Sequence, residues 1–157
     1  MLNRKPLIAL SLSVFIAACG GGGEAPKVPT AEPAGESSKD IGDHVIYFSA
    51  QLTDELSPEI ARAYDIVRSK NRAMLTISVV READKASVPA TVTVKTVNLT
   101  GQLKNVVLRR IEEQDAVYYV GETPVANRET LIFDVTVTPE GAAGSSEVRF
   151  KREFYTD

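Results

Sequence analysis

The chain has 157 residues, a formal net charge of −3, one cysteine and one histidine. A single cysteine excludes an internal disulfide, and together with one histidine it leaves no His/Cys ligand set for zinc. The acidic balance argues against nonspecific nucleic-acid binding, which needs a basic surface.

The chain opens with Arg4 and Lys5, followed by an apolar run over residues 7–18 and then Cys19-Gly20-Gly21-Gly22-Gly23. A 12-residue, largely apolar run behind a positive n-region has the length of a signal-peptide core. A membrane-spanning helix needs about 20. A buried core helix is a poor fit, since four glycines and a Pro-rich stretch follow at once. An ordinary secretory signal is the closer rival, because Ala17 and Ala18 suit its peptidase too. The cysteine directly after those small residues favours a lipoprotein signal: Ile16-Ala17-Ala18-Cys19 resembles a bacterial lipobox. Residues 1–18 are therefore expected to be removed and Cys19 to be acylated. Each buried CH₂ of an acyl chain contributes about 0.8 kcal/mol, so several chains on one cysteine anchor a protein firmly. Gly20 after the cysteine, rather than aspartate, resembles lipoproteins sent to the outer membrane.

Residues 19–40 read as the lipidated cysteine and a flexible linker. Gly20 to Gly23, Pro26, Pro29, Pro33, Gly35, Ser37 and Ser38 leave no apolar period to bury. Fully extended, such a segment reaches up to about 70 Å, and as a flexible coil nearer ~25 Å. Loss of residues 1–18 would leave 16 Lys plus Arg against 21 Asp plus Glu, a balance of −5. That argues against electrostatic membrane adhesion beyond the lipid itself.

Residues 41–157 are enough for one domain with a real core. Period-two patterning dominates. Leu75, Ile77 and Val79 alternate with Thr76 and Ser78. Val88, Ala90, Val92 and Val94 alternate with Thr91, Thr93 and Lys95. Leu131, Phe133, Val135 and Val137 alternate with Ile132, Asp134, Thr136 and Thr138. Each pattern is that of a half-buried antiparallel strand. Residues 43–52, 103–112, 116–124 and 146–155 form less regular strands. Val106-Val107-Leu108 breaks the alternation and predicts a bulge or a strand buried on both faces. Turn signals such as Asn98-Leu99-Thr100-Gly101 and Pro139-Glu140-Gly141 separate the runs. Asn98-Leu99-Thr100 also fits a glycosylation pattern and is read here as a turn. Seven strands at this spacing predict an all-β, immunoglobulin-like antiparallel β-sandwich.

One short helix interrupts the pattern between the first two strands. Ser57 is a good N-cap and Pro58 suits the first helical position. Ile60, Ala63 and Tyr64 share a face at this spacing and are expected to cap an open end of the sandwich.

Arg68, Lys70 and Arg72 then place three positive charges within five residues, beside Ser69 and Asn71. Such a loop suits recognition of a carboxylate, a phosphate or an acidic protein surface, because Arg grips oxyanions bidentately. The competing reading is a solvated turn whose cations pair with neighbouring carboxylates. Tyr64, Arg68, Ser69, Lys70, Asn71 and Arg72 are the candidate interaction surface. His44, beside Asp43 at a strand start, reads as a surface histidine rather than a triad base. No EF-hand spacing and no phosphate-binding glycine loop is present. No cofactor and no metal is expected.

The segments Ala63-Tyr64-Asp65-Ile66-Val67-Arg68-Ser69-Lys70-Asn71-Arg72, Leu75-Thr76-Ile77-Ser78-Val79 and Asn98-Leu99-Thr100-Gly101-Gln102 resemble those of the DUF4426 family. Val117-Tyr118-Tyr119-Val120, Thr130-Leu131-Ile132-Phe133 and Phe154-Tyr155-Thr156-Asp157 are similar to it as well. The resemblance covers residues 41–157 and implies an exported proteobacterial protein of uncharacterised role, with no catalytic residues to carry over. Family members commonly carry a cleavable secretory signal, so the lipobox and linker here mark a departure toward membrane attachment.

These readings lead to a non-enzymatic, lipid-tethered module that faces the periplasm and binds an envelope protein. The alternative is a periplasmic small-ligand carrier or sensor that binds near the short helix.

Overall fold

The computed structural model describes residues 37–157. Residues 1–36, which hold the expected signal segment, Cys19 and most of the expected linker, lie outside the described residues.

The described chain forms two antiparallel sheets. The first is built from β1 (Ser38–Asp40), β2 (His44–Leu52), β3 (Arg72–Arg81), β7 (Ala116–Pro124) and β6 (Arg109–Glu113), in the order β1-β2-β3-β7-β6. The second contains β5 (Leu103–Lys104), β4 (Ala90–Asn98), β8 (Glu129–Pro139) and β9 (Ser146–Phe154), in the order β5-β4-β8-β9. One helix, α1 (Pro58–Ala63), follows a single 3-10 turn at Thr53–Glu55.

Alternation explains which side chains meet between the sheets. Leu75, Ile77 and Val79 of β3 face Leu131, Phe133, Val135 and Val137 of β8 in one core, all at most 1% exposed. Burial of each such side chain stabilises the fold by about 1.5–3 kcal/mol. Phe150 of β9 lies in this layer, 4.7 Å from the ring of Phe48 and 4.9 Å from that of Phe133. Val88, Ala90, Val92 and Val94 face the same core, as their period predicts.

The described residues hold nine strands rather than seven, for two physical reasons. First, Ser38–Asp40, assigned to the linker by composition, is an edge strand of the first sheet. Its side chains are exposed and polar, so main-chain pairing with β2 and a Lys39 side-chain bond to the Glu147 carbonyl at 2.6 Å hold it, and no apolar period betrays it. A tight turn closes that hairpin: Gly42 has φ +88°, and its N–H donates to the Asp40 carboxylate at 2.8 Å. Second, the run over residues 103–112 is not one strand. It leaves the second sheet after β5 and joins the first as β6.

Residues 105–108 make that crossing, and here the broken alternation has its cause. Val106 and Leu108 turn toward the core while Val107 is 71% exposed. The crossing chain passes close over Gly121 of β7. A Cβ on that glycine would stand 2.6 Å from Val106 Cγ1 and 3.1 Å from the Val107 carbonyl oxygen.

The helix does not cap an end of the sandwich. Ala61, with Leu56 and Ile66, packs on Met74 of β3 and Val120 of β7, a second apolar cluster on the outer face of the first sheet. The face expected to be buried is largely outside: Ile60 is 46% exposed and Ala63 is exposed. Six residues give under two turns, too few for the periodic stripe to choose the buried side. Asp65, at φ +52°, turns the chain immediately afterwards and sends Ile66 into the same cluster.

Candidate functional site

The loop over residues 66–72 leaves α1 and enters β3. The helix begins as its sequence predicts, with the Ser57 hydroxyl accepting the Ile60 N–H at 3.3 Å and Pro58 at the first turn. What fixes the loop afterwards is Thr53, which is fully buried. Its hydroxyl accepts the Ser69 N–H at 2.9 Å and lies 2.9 Å from the Val67 carbonyl and 3.1 Å from that of Ser69. One buried hydroxyl thus braces both sides of the bend. A further link comes from within, where the Ser69 hydroxyl accepts the Asn71 N–H at 3.1 Å. On the far side the Asn71 carbonyl accepts the Val125 N–H at 3.0 Å.

The side chains of this loop diverge rather than converge. Arg68 donates to the main-chain carbonyl of Asp54 at 2.6 Å. Lys70 reaches the main-chain oxygen of Asp157 at 3.3 Å. Arg72, already in β3, lies 3.6 Å from the Glu122 carboxylate, an ion pair with little net energy at this exposure. Val67 is 69% exposed between them. The loop therefore presents one exposed apolar side chain on a braced backbone, flanked by Arg68 and Lys70, which are exposed but bonded to main-chain oxygens, and by Arg72 beside Glu122.

Tyr64 belongs to a different group. Its hydroxyl donates to the Glu113 carboxylate, and its main-chain carbonyl accepts from the Arg109 guanidinium, both on β6. The hydrogen bond to Glu113 holds the phenol above its usual pKa, with burial and the carboxylate charge adding to it. The structure thus ties Tyr64 to the β6 edge and residues 68–72 to Thr53, Asp54 and Asp157. Sequence reasoning missed Thr53, Val67, Arg109 and Glu113. The last two lie 45 and 49 residues from Tyr64, so no local pattern links them.

The opposite end of the sandwich carries a shallow cleft of about 410 Å³. It is lined by Ile41, Asp43, His44, Pro139 and residues 141–146. His44 therefore stands at the start of β2 beside a glycine-containing loop, far along the strand from residues 66–72. Beneath α1 the side chains of Ala61, Leu56 and Ile66 meet the sheet directly. Among the described residues no group of three or more His, Cys, Asp or Glu side chains is placed to hold a metal ion. No helix of the described residues is long and apolar enough to cross a membrane.

Asn98 is consumed by its turn. Its side-chain oxygen accepts from the Thr100 N–H and hydroxyl and from the Gln102 N–H, while its amide donates to Gln102 and Glu129. The turn reading of Asn98-Leu99-Thr100-Gly101 holds, with Gly101 at φ +80°.

Two antiparallel sheets with a helix on one outer face define an all-β sandwich protein. The chain belongs to the DUF4426 family, a domain of unknown function, whose model matches residues 38–157. It is also similar to the crystal structure of a DUF4426 family protein from Pseudomonas aeruginosa PAO1. That likeness has a TM-score of 0.67 and 28% sequence identity, over 78% of this chain and 97% of the other. Comparison with curated proteins finds no match.

Proposed function

We propose that this chain is a lipid-anchored cell-envelope protein whose sandwich is a non-enzymatic module for binding another envelope protein through residues 67–72. The observation that carries this reading is the bracing of the loop by buried Thr53 while Val67, Arg68 and Lys70 face outward. A backbone fixed before the encounter loses little entropy on binding. An exposed apolar side chain flanked by cations suits a partner with an acidic rim, where charge raises the rate of encounter. Cys19 supplies the anchor in this reading. The linker after it lets the sandwich stand off the outer membrane on its periplasmic side.

The connectivity supports an immunoglobulin-like assignment within this proposal. The order β2-β3-β7-β6 opposite β5-β4-β8-β9 parallels A-B-E-D opposite an extended C-F-G sheet. β1 then becomes an added edge strand.

The test is partner capture from native envelope extracts with the wild-type protein and with Arg68→Glu/Lys70→Glu. A partner retained by the first and lost by the second, at unchanged thermal stability, supports the reading. Equal capture by both overturns the assignment of the loop. Metabolic labelling with a fatty acid, absent in Cys19→Ser, tests the anchor separately.

A further inference from the structure

The outer face of the first sheet is only partly covered by α1. Met74 and Val120 lie under the helix, and strand alternation places Thr76 and Ser78 of β3 on the same outward face. The register sets Tyr47 of β2 opposite Ser78 and Ser49 opposite Thr76. Tyr118 of β7 also faces outward and comes one position beyond the paired residues Ile77 and Tyr119. Two adjacent rows thus cross the sheet, Tyr47–Ser78–Tyr118 and Ser49–Thr76.

The chemistry of these rows is uniform. All five side chains carry a hydroxyl and none carries a charge. None of the five hydroxyls takes a hydrogen-bond partner among the described residues. Tyr47 is 46% exposed, Ser49 is exposed, and Thr76, Ser78 and Tyr118 are half-buried, the Tyr118 ring packing in part against the apolar cluster under α1. Of the charges that border the rows, Glu82 pairs with Lys85 and Arg72 with Glu122, while the Asp40 carboxylate on β1 accepts the Gly42 N–H. Tyr64 and Glu113 close the far side by their own hydrogen bond.

We infer that this strip is a binding platform for a neutral, β-linked glycan strand lying across the sheet. A hydroxyl both donates and accepts, as does each hydroxyl of a sugar, so a polyhydroxylated ligand satisfies both sets. A tyrosine offers an apolar ring for the C–H face of a pyranose and a polar tip for its rim. Tyr47 and Tyr118 stand two strand spacings apart, roughly 10 Å. That separation suits one disaccharide of an extended β-1,4-linked chain, in which alternate sugars present the same face. A nucleic acid or anionic lipid would need cations in the rows, and these have none. This platform is a separate surface from residues 67–72 and does not depend on the protein-binding assignment of that loop.

The test is titration of full-length protein, in a detergent without sugar groups, with the β-1,4-linked tetramer of N-acetylglucosamine, the corresponding dimer and cellotetraose. The expected result is saturable binding of at least one tetramer, tighter than the dimer, and weakened about tenfold by Tyr47→Ala. Ser78→Ala weakens it less, and Arg68→Glu/Lys70→Glu leaves it unchanged. Tyr118→Phe keeps the ring and retains most of the affinity, which separates stacking from a folding defect. Absence of binding by both tetramers at millimolar concentration overturns the inference. So does binding indifferent to Tyr47→Ala, or crosslinking from position 47 that captures a protein in place of a glycan.

Discussion

The hydroxyl oxygen of Tyr119, in the middle of β7, accepts the main-chain N–H of Ala90, at the start of β4, at 2.7 Å. The bond joins the two sheets, since β7 and β4 belong to different ones. Ala90 stands opposite Pro139 at the end of the second sheet's ladder, and the buried ring of Tyr119 brings an acceptor to it. Beside it the Ser87 hydroxyl accepts the Val117 N–H at 2.9 Å, so the entry to β4 is fastened to β7 twice. Tyr119→Phe keeps the ring and removes only the acceptor. We expect it to cost about 1 kcal/mol of stability, read from urea unfolding with an unchanged slope. A stability equal to wild type would show that the cross-sheet bond contributes nothing net.

Thr53→Val tests the brace behind the candidate loop. Valine matches the shape of threonine but offers neither acceptor nor donor, so the Ser69 N–H loses its buried partner. The expected cost is about 1–3 kcal/mol. The more specific readout is hydrogen exchange, where the Ser69 amide should lose protection while β8 amides keep theirs. Unchanged exchange at Ser69 would mean that the loop is held by something other than Thr53.

The sequence reveals most where burial is one-sided. β7 appears at residues 116–124 in both the pattern and the structure, and the core positions of β3 and β8 follow from alternation alone. Ser38–Asp40 is invisible because an edge strand held by main-chain pairing and polar side chains leaves no apolar trace. The basic loop is legible as charge, but its brace is not, because Thr53 lies 16 residues from Ser69. The helix is legible from Ser57 and Pro58, yet its buried side depends on which apolar patch the sheet offers, and that patch comes from Met74 and Val120. The hydroxyl rows on the outer face need the register of three strands before they exist at all.

Gly121→Ala probes the crossing between sheets. The added Cβ would overlap Val106 Cγ1 at 2.6 Å and press on the Val107 carbonyl and Leu108 Cδ2, both at 3.1 Å. A side chain can move away, but the carbonyl moves only with the strand-to-strand crossing. Overpacking of this kind costs about 1–3 kcal/mol. Trimming the nearest atoms in Gly121→Ala/Val106→Ala should cost less than the two single changes summed. Strict additivity in that double-mutant cycle would place the strain elsewhere.

Glu129 gives the fold a defined acid sensitivity. Its carboxylate pairs with Lys104 at 2.8 Å, accepts the Ala126 N–H at 2.9 Å and the Asn98 amide at 3.0 Å, and is largely buried. Burial pushes its pKa up, but the Lys104, Ala126 and Asn98 hydrogen bonds together outweigh it, and the net direction is below the ordinary 4.5. A carboxylate with a depressed folded-state pKa contributes stability that is fully present above its unfolded pKa of about 4.3. That contribution fades as pH falls through the folded value, where the native state also takes up the proton. Glu129→Gln keeps the shape and removes the charge, leaving Lys104 partly buried without its counter-ion. At neutral pH we expect the variant to be less stable by about 2 kcal/mol. Denaturant unfolding at a series of pH values should show the gap between the two proteins constant above about pH 5 and closing below it. A gap that stays constant down to the acid unfolding limit would mean that the pair does not stabilise the ionised form. The opposite slope, with the variant losing ground as pH falls, would reverse the sign assigned to Glu129.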